Sequence, residues 1–188
     1  MRSLIVAALL LGSGIVPALG ATANTPSNTA SDNYDIEVLV FAIQAPEFEG
    51  SELWTRAEQP IDISGAVPPP DLLPSVKFSN MVAKLTADGR YRVLLEKHWT
   101  QSGDTKSNVP PMLLSTGNNE LNGTFRFYLS RFPHVELNLM FEPQPAAIGA
   151  DAAPDYVIRE QRRVRDKELT YFDHPKFGII VRVSPIKS

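Results

Sequence analysis

Two alternating runs of residues, close together in the chain, constrain the fold more than any other feature. TFRFYLSR (124–131) and HVELNLMF (134–141) each place an apolar side chain at every second position. A period of two is typical of β-strands with one buried face. Only Phe132 and Pro133 separate the two runs, so the sequence predicts an antiparallel hairpin.

Four further segments have the composition and length of strands. They are YDIEVLVFAI (34–43), YRVLLEKHW (91–99), YVIREQRRVR (156–165) and GIIVRVSP (178–185). The first begins with alternation and then becomes apolar on both faces, which predicts a strand near the middle of a sheet. The third is a long and highly charged strand.

One segment has helical spacing. Its apolar residues at i, i+3, i+4 and i+7 are Phe78, Met81, Val82 and Leu85. Ser75 is the predicted N-cap and Gly89 the predicted C-cap. Strands dominate and long crossover helices are missing. The predicted fold class is therefore α+β, a mostly antiparallel sheet of about six strands with one amphipathic helix on one face.

The chain begins with the pattern of a cleaved secretory signal. Arg2 precedes an apolar run at 4–11, and Ala18 and Gly20 place small residues at the −3 and −1 positions of a cleavage site. The predicted signal peptide spans residues 1–20, with cleavage up to residue 23 as the outer bound. No other segment approaches the length of a membrane span, so we expect none after cleavage.

The composition of the remaining chain indicates one exported domain. Residues 21–33 are small and polar and predict a flexible lead-in, followed by a single α+β domain at 34–188. The chain has no cysteine, so burial of a core rather than disulfides must stabilise it. A formal net charge of −3 favours neither nucleic acid nor an anionic membrane as a partner.

Catalysis has little support in the sequence. Asp173 and His174 are neighbours, and Pro175 favours an extended backbone that points them to opposite faces, so Asp173 cannot readily orient the His174 ring. No nucleophile stands out, and the three histidines are scattered without metal-ligand spacing. The sequence thus predicts no metal and no cofactor. A wall hydrolase or esterase that uses Glu168, Asp173 or His174 remains a third hypothesis.

The charged strand offers binding chemistry instead. Regular alternation places Arg159, Arg163 and Arg165 on one face, where successive positions are about 7 Å apart along the strand and the arginines could bind carboxylates in bidentate fashion. The alternative is a solvated face paired with nearby Glu and Asp, which contributes little stability.

Aromatic residues have two interpretations, core packing or stacking on a sugar ring. Burial is favoured for most of Trp54, Trp99, Tyr171 and Phe172. Trp99 ends a strand, where partial exposure is easier, and is the best stacking candidate. The stretch YFDHPKFG (171–178) predicts a rigid corner in which Asp173 accepts backbone N–H groups, Pro175 fixes φ and Gly178 permits a close approach of the chain.

The closing segment RRVRDKELTYFDHPKFGIIVRVSP (162–185) resembles the C-terminal signature of the CsiV family of periplasmic peptidoglycan-binding proteins. Further similar segments occur in order along the chain. They are YDIEVLVF (34–41), SELW (51–54), YRVLLEKHWTQ (91–101) and ELNGTFRFYLSRFPHVELNL (120–139). The sequence departs from the family pattern at Val164, where methionine is usual, and at Thr170 and Glu96, where histidines are expected.

The resemblance implies a non-enzymatic periplasmic protein that binds peptidoglycan and supports cell-wall synthesis and cell shape. It implies as further partners a penicillin-binding protein or the outer-membrane lipoprotein that activates it. The alternative is an interaction module that docks on such a synthase or activator and touches the wall only indirectly. The candidate binding residues, chosen from the chemistry of the side chains, are Arg159, Arg163, Arg165, Tyr171, His174 and Trp99.

Overall fold

Eight strands and one short helix form in the part of the chain that the computed structural model describes, residues 32–44, 60–70, 78–87, 89–143 and 155–186. The strands are β1 Asn33–Ile43, β2 Tyr91–Ser102, β3 Met112–Leu113, β4 Leu121–Leu129, β5 Pro133–Phe141, β6 Tyr156–Arg163, β7 Leu169–His174 and β8 Phe177–Ile186, and the helix α1 is Ser79–Thr86. The predicted signal peptide, Trp54 and Ser75 lie outside the described residues.

The strands form two antiparallel sheets rather than one. Sheet A has the order β2-β1-β8-β7, and sheet B has the order β3-β4-β5-β6. The prediction of mostly antiparallel pairing with one helix is confirmed, whereas the prediction of a single sheet of about six strands is wrong. Alternation identifies strands but carries no information about which strands pair, and that choice decides the number of sheets.

The hydrophobic core lies between the two sheets and takes side chains from both. Aromatic rings meet across it, with ring centroids 4.9 Å apart for Tyr34 and Phe127 and 5.4 Å apart for Phe141 and Phe177. Burying each side chain of this size contributes about 1.5–3 kcal/mol. Core burial is the stabilising term that a chain without cysteine must rely on.

Strand β1 occupies the centre of sheet A, between β2 and β8, as its apolar sequence predicted. Its inward residues Ile36, Val38 and Val40 are fully buried in the core. The outward Leu39 is also fully buried. Burial on both faces is what a near-continuous apolar run indicates.

Helix α1 packs against β2 of sheet A, which confirms a helix on one face. Phe78 is its N-cap residue, so the prediction of Ser75 as the N-cap is wrong. Phe78 is fully buried, and the guanidinium carbon of Arg182 lies 5.2 Å from the centre of its ring. Ala87 is the C-cap residue, so the prediction of Gly89 as the C-cap is also wrong. Gly89 follows it with a φ of +72° and donates its N–H to the Thr86 carbonyl.

The corner predicted at 171–178 is the tight turn between β7 and β8. Asp173 pairs with Gly178 and His174 with Phe177, which leaves a two-residue turn at 175–176. A Cβ on Gly178 would lie 2.7 Å from ring atoms of Phe41 and Tyr171, so a larger residue here would displace these rings. The Asp173 side chain accepts a hydrogen bond from the Tyr171 hydroxyl, in place of the backbone N–H groups that the sequence predicted.

Candidate functional site

The candidate site is the outward face of strands β4, β5 and β6 of sheet B, which we call the polar face. It exists because these strands alternate, with apolar side chains toward the core and mostly polar ones away from it. The strand register aligns three rows of outward residues across the sheet. The rows are Tyr128–His134–Arg163, Arg126–Glu136–Gln161 and Thr124–Asn138–Arg159.

The first row ends in a stacked guanidinium. The guanidinium carbon of Arg163 lies 3.5 Å from the centre of the Phe132 ring, and the His134 ring stacks on Tyr128 with centroids 5.2 Å apart. Nδ1 of His134 is 2.8 Å from the Phe132 carbonyl oxygen, a geometry for donating its proton there. An arginine stacked on a ring keeps its planar N–H edge for hydrogen bonds, so the N–H edge of Arg163 stays accessible.

A lysine from the loop after β2 covers part of the second row. Nζ of Lys106 lies 2.5 Å from Oε2 of Glu136 and 3.3 Å from Oε1 of Gln161. It also lies 5.5 Å from the centre of the Tyr128 ring. Glu136 is therefore neutralised by Lys106 and not by Arg126, its partner directly across the strand pair.

The third row fixes the position of a second arginine. Nε of Arg159 donates a hydrogen bond of 3.2 Å to Oδ1 of Asn138. Both Arg159 and Arg163 are exposed, as is Gln161 between them. The β6 side of the polar face therefore presents cations to solvent.

On the β4 side, segment 60–70 lies beside the edge strand β3 and lines a cleft of about 200 Å³. Val67 attaches this segment because its N–H donates to the Pro111 carbonyl and its own carbonyl accepts from Leu113. The residues that line the cleft are Asp62, Ser64, Pro111, Thr124, Arg126, Glu136 and Asn138. The carboxylate of Asp62 accepts from the N–H of Ser64 at 2.8 Å, and hydrogen bonds from Ser64 lower the pKa of Asp62.

The candidate residues predicted from the sequence do not form one surface. Arg159 and Arg163 share the polar face, as the alternation predicted. Arg165 lies beyond the end of β6, highly exposed, 3.6 Å from a carboxylate oxygen of Glu168. Tyr171 is exposed on β7 of sheet A, where its ring is parallel to that of Phe41 at 6.2 Å. Partial desolvation and the hydrogen bond to Asp173 raise the pKa of the Tyr171 hydroxyl.

Trp99 is fully buried, so the expectation of partial exposure at the end of a strand is wrong. Its ring meets Phe125 of sheet B edge-on at 5.2 Å, and its Nε1 donates to Gln101. The inward position across from Ile36 decides the burial of Trp99, because the second sheet covers that face. The ring has no free face for a sugar.

His174 is also buried and packs between the rings of Tyr156 and Phe177, with centroids at 5.5 and 5.2 Å. Burial lowers its pKa, Lys176 adds to this, and Asp173 opposes it. Its Nδ1 accepts the Lys176 N–H at 3.2 Å, as a neutral ring does. The burial of His174 indicates a structural role and leaves no exposed ring for a ligand.

The structure does not assemble the residues of the hydrolase hypothesis. Glu168 contacts Arg165, Asp173 is exposed, and His174 points to the opposite, buried face of β7. Among the described residues, no group of three or more His, Asp or Glu could hold a metal ion. Over the same ranges, no helix is long and apolar enough to cross a membrane.

Sequence reasoning missed five residues on or beside the polar face: Asp62, Lys106, Arg126, Glu136 and Asn138. Alternation places Arg126, Glu136 and Asn138 outward, and the short turn aligns Arg126 with Glu136. That alignment alone predicts an ion pair between them, which the structure does not form. Asp62 and Lys106 lie on irregular segments whose path no local pattern reveals.

Fold and site together define a two-sheet antiparallel protein whose chemistry suits binding, with arginines and amides on an accessible sheet face. The model of the CsiV peptidoglycan-binding protein family matches residues 69–186, more than half of the chain. The chain belongs to the CsiV family, which confirms the resemblance, although the similar segments at 34–41 and 51–54 lie outside the matched range. No curated protein and no solved structure matches the chain.

Proposed function

We propose that the chain is a periplasmic, non-enzymatic accessory protein that binds peptidoglycan through the polar face and supports cell-wall synthesis and cell shape. Family membership supplies peptidoglycan as the ligand. The observation that carries the choice of surface is the pair of exposed arginines, Arg159 and Arg163, each positioned by a neighbouring side chain.

The chemistry of the wall polymer fits this surface. Peptidoglycan carries free carboxylates on its stem peptides, and an arginine binds a carboxylate through two parallel N–H···O bonds. Helix α1 packs on sheet A, so it does not compete for the polar face. The further partners of this proposal are a penicillin-binding protein or its lipoprotein activator, as the resemblance implies.

Sedimentation with purified sacculi tests the proposal. The mature protein alone should pellet with sacculi, and the double variant Arg159→Glu/Arg163→Glu should lower the bound fraction several-fold. Lys84→Glu is the matched control, because Lys84 is exposed on α1 and its reversal should leave pelleting unchanged. Protein that remains in the supernatant when no other protein is present would favour the docking-module alternative.

The same incubation tests catalysis. On the proposal, sacculi incubated with the protein release no soluble muropeptides. Release that disappears in His174→Ala would instead establish a hydrolase.

A further inference from the structure

Arg126 differs from the other polar-face arginines, Arg159 and Arg163, because its side chain is partly buried. It makes no ion pair with any residue in the described ranges, and its Nε is buried without a hydrogen-bond partner there. The carboxylate across the strand pair, Glu136, is occupied by Lys106. Leaving a buried donor unsatisfied costs about 1–3 kcal/mol. An anionic ligand that accepts hydrogen bonds from this guanidinium would therefore be favoured.

The surroundings of Arg126 define what else the anion should carry. The cleft that Arg126 lines also contains the Asp62 carboxylate, the Thr124 hydroxyl and the Asn138 amide. Hydrogen bonds from Ser64 hold Asp62 in its ionised form. A ligand with one carboxylate and one ammonium would complement this pair of opposite charges, whereas a plain anion would meet Asp62 without compensation.

We propose that this cleft binds an amino-acid head group bearing a free carboxylate and a free ammonium, with the carboxylate on Arg126 and the ammonium on Asp62. In the wall, this chemistry occurs at the free end of a diamino acid of an uncross-linked stem peptide. The inference rests on the proposed function and narrows its ligand. The volume of about 200 Å³ equals that of roughly seven water molecules, which suits one head group better than a disaccharide.

Cross-linking of the stem peptide would remove one of the two charged groups that this cleft binds. When the side-chain amine of the diamino acid becomes an amide, the ammonium that Asp62 would bind is lost. The protein would therefore prefer stem peptides that are not yet cross-linked, which are the substrates of wall synthesis.

Calorimetric titration with a soluble disaccharide-tetrapeptide tests the assignment. The diamino acid of this ligand carries a free carboxylate and a free ammonium at the end of its side chain. Arg126→Gln should weaken binding about tenfold or more, and Asp62→Asn should weaken it several-fold. Lys84→Gln is the control, since Lys84 is exposed on helix α1, which packs on sheet A, and lies outside the cleft. Equal affinity of Arg126→Gln and the unmodified protein would overturn the proposal.

A change in the ligand gives a test that does not depend on the folding of a variant. Amidating the head-group carboxylate should weaken binding to the unmodified protein about tenfold and should abolish the difference between that protein and Arg126→Gln. The tetrapeptide has a second carboxylate on its terminal alanine. If amidating only that carboxylate weakens binding in this way, the cleft assignment is wrong. Failure of the proposed function is distinguishable, because the unmodified protein would then fail to pellet with sacculi.

Discussion

The buried ion pair beneath helix α1 illustrates how single residues constrain sheet A. Glu37 is fully buried, and Nε of Arg182 lies 2.5 Å from its Oε2. Removing one member of such a pair costs about 3–5 kcal/mol, because it leaves an uncompensated buried charge. Glu96, on the neighbouring strand, has no comparable partner, and its Oε1 is buried without a hydrogen bond among the described residues.

We expect Glu96→Gln to stabilise the protein at neutral pH. Burial, followed by the negative charge of Glu37, raises the pKa of Glu96 above its ordinary value of 4.5. A raised carboxyl pKa means that ionised Glu96 opposes folding above the folded pKa and ceases to do so below 4.5. The gain in the free energy of unfolding should be present at pH 7 and vanish near pH 4.

Urea unfolding at these two pH values measures the effect, and Glu168→Gln is the control because Glu168 is exposed. An equal gain in stability for Glu96→Gln at both pH values would contradict the raised pKa of Glu96, because the gain would not follow the titration of its carboxyl.

Trp99→Ala should act on stability and not on wall binding. The side chain is fully buried against Phe125, so its removal leaves a cavity and should lower the free energy of unfolding by about 3–5 kcal/mol. Trp99→Phe should cost less, because it keeps a ring on Phe125. Urea unfolding checks the loss of stability. Pelleting of the folded variants with sacculi checks wall binding. If Trp99→Phe folds normally but no longer pellets with sacculi, the result would support stacking of Trp99 on a sugar ring.

The candidate site was predictable from the sequence where it depends on strand alternation alone. Alternation placed Arg159 and Arg163 on one outward face, and the structure agrees. It could not show that Trp99 faces a second sheet, or that Lys106 reaches Glu136 from a loop. Both depend on long-range packing that local sequence does not encode.

At the level of elements, local patterns found the long strands and missed the short ones. Strand β3 has two residues within a polar loop and is held by β4 and by a bridge to Val67. Strand β7 was interpreted as part of a corner, although its inward residues Thr170, Phe172 and His174 alternate with outward ones. Six residues next to a proline give too weak a periodic signal to identify a strand.

The β4–β5 hairpin depends on one glycine, and Gly123→Ala should disrupt it. Gly123 has a φ of +148°, and an added Cβ would lie 2.1 Å from the backbone oxygen of Asn138. Because backbone cannot rotate away as a side chain can, we expect a loss of about 3 kcal/mol or more in the free energy of unfolding. Gly117→Ala is the control, since its Cβ would meet nothing within 4 Å. Similar urea midpoints for both variants would contradict the hairpin geometry.

For the whole molecule, the two sheets have different surroundings. The outer side of sheet A carries helix α1 and a buried ion pair. The outer side of sheet B presents the arginines and the cleft. Such a division follows from the pairing of β1 with β2 and β8, contacts between residues far apart in the chain. Local pattern carries no record of these pairings, so the sequence predicted the strands but not their partition into sheets.

The matched family region alone should not fold. A fragment of residues 69–186 lacks β1, the central strand of sheet A, and with it the buried side chains of Ile36, Val38 and Val40. Strands β2 and β8 would then have no common partner, and the inner face of sheet B would be exposed to water. We expect this fragment to show poor amide dispersion in NMR spectra and no cooperative unfolding, whereas residues 32–186 should show both. A well-dispersed spectrum from the shorter fragment would mean that β1 is dispensable and that sheet A closes in another way.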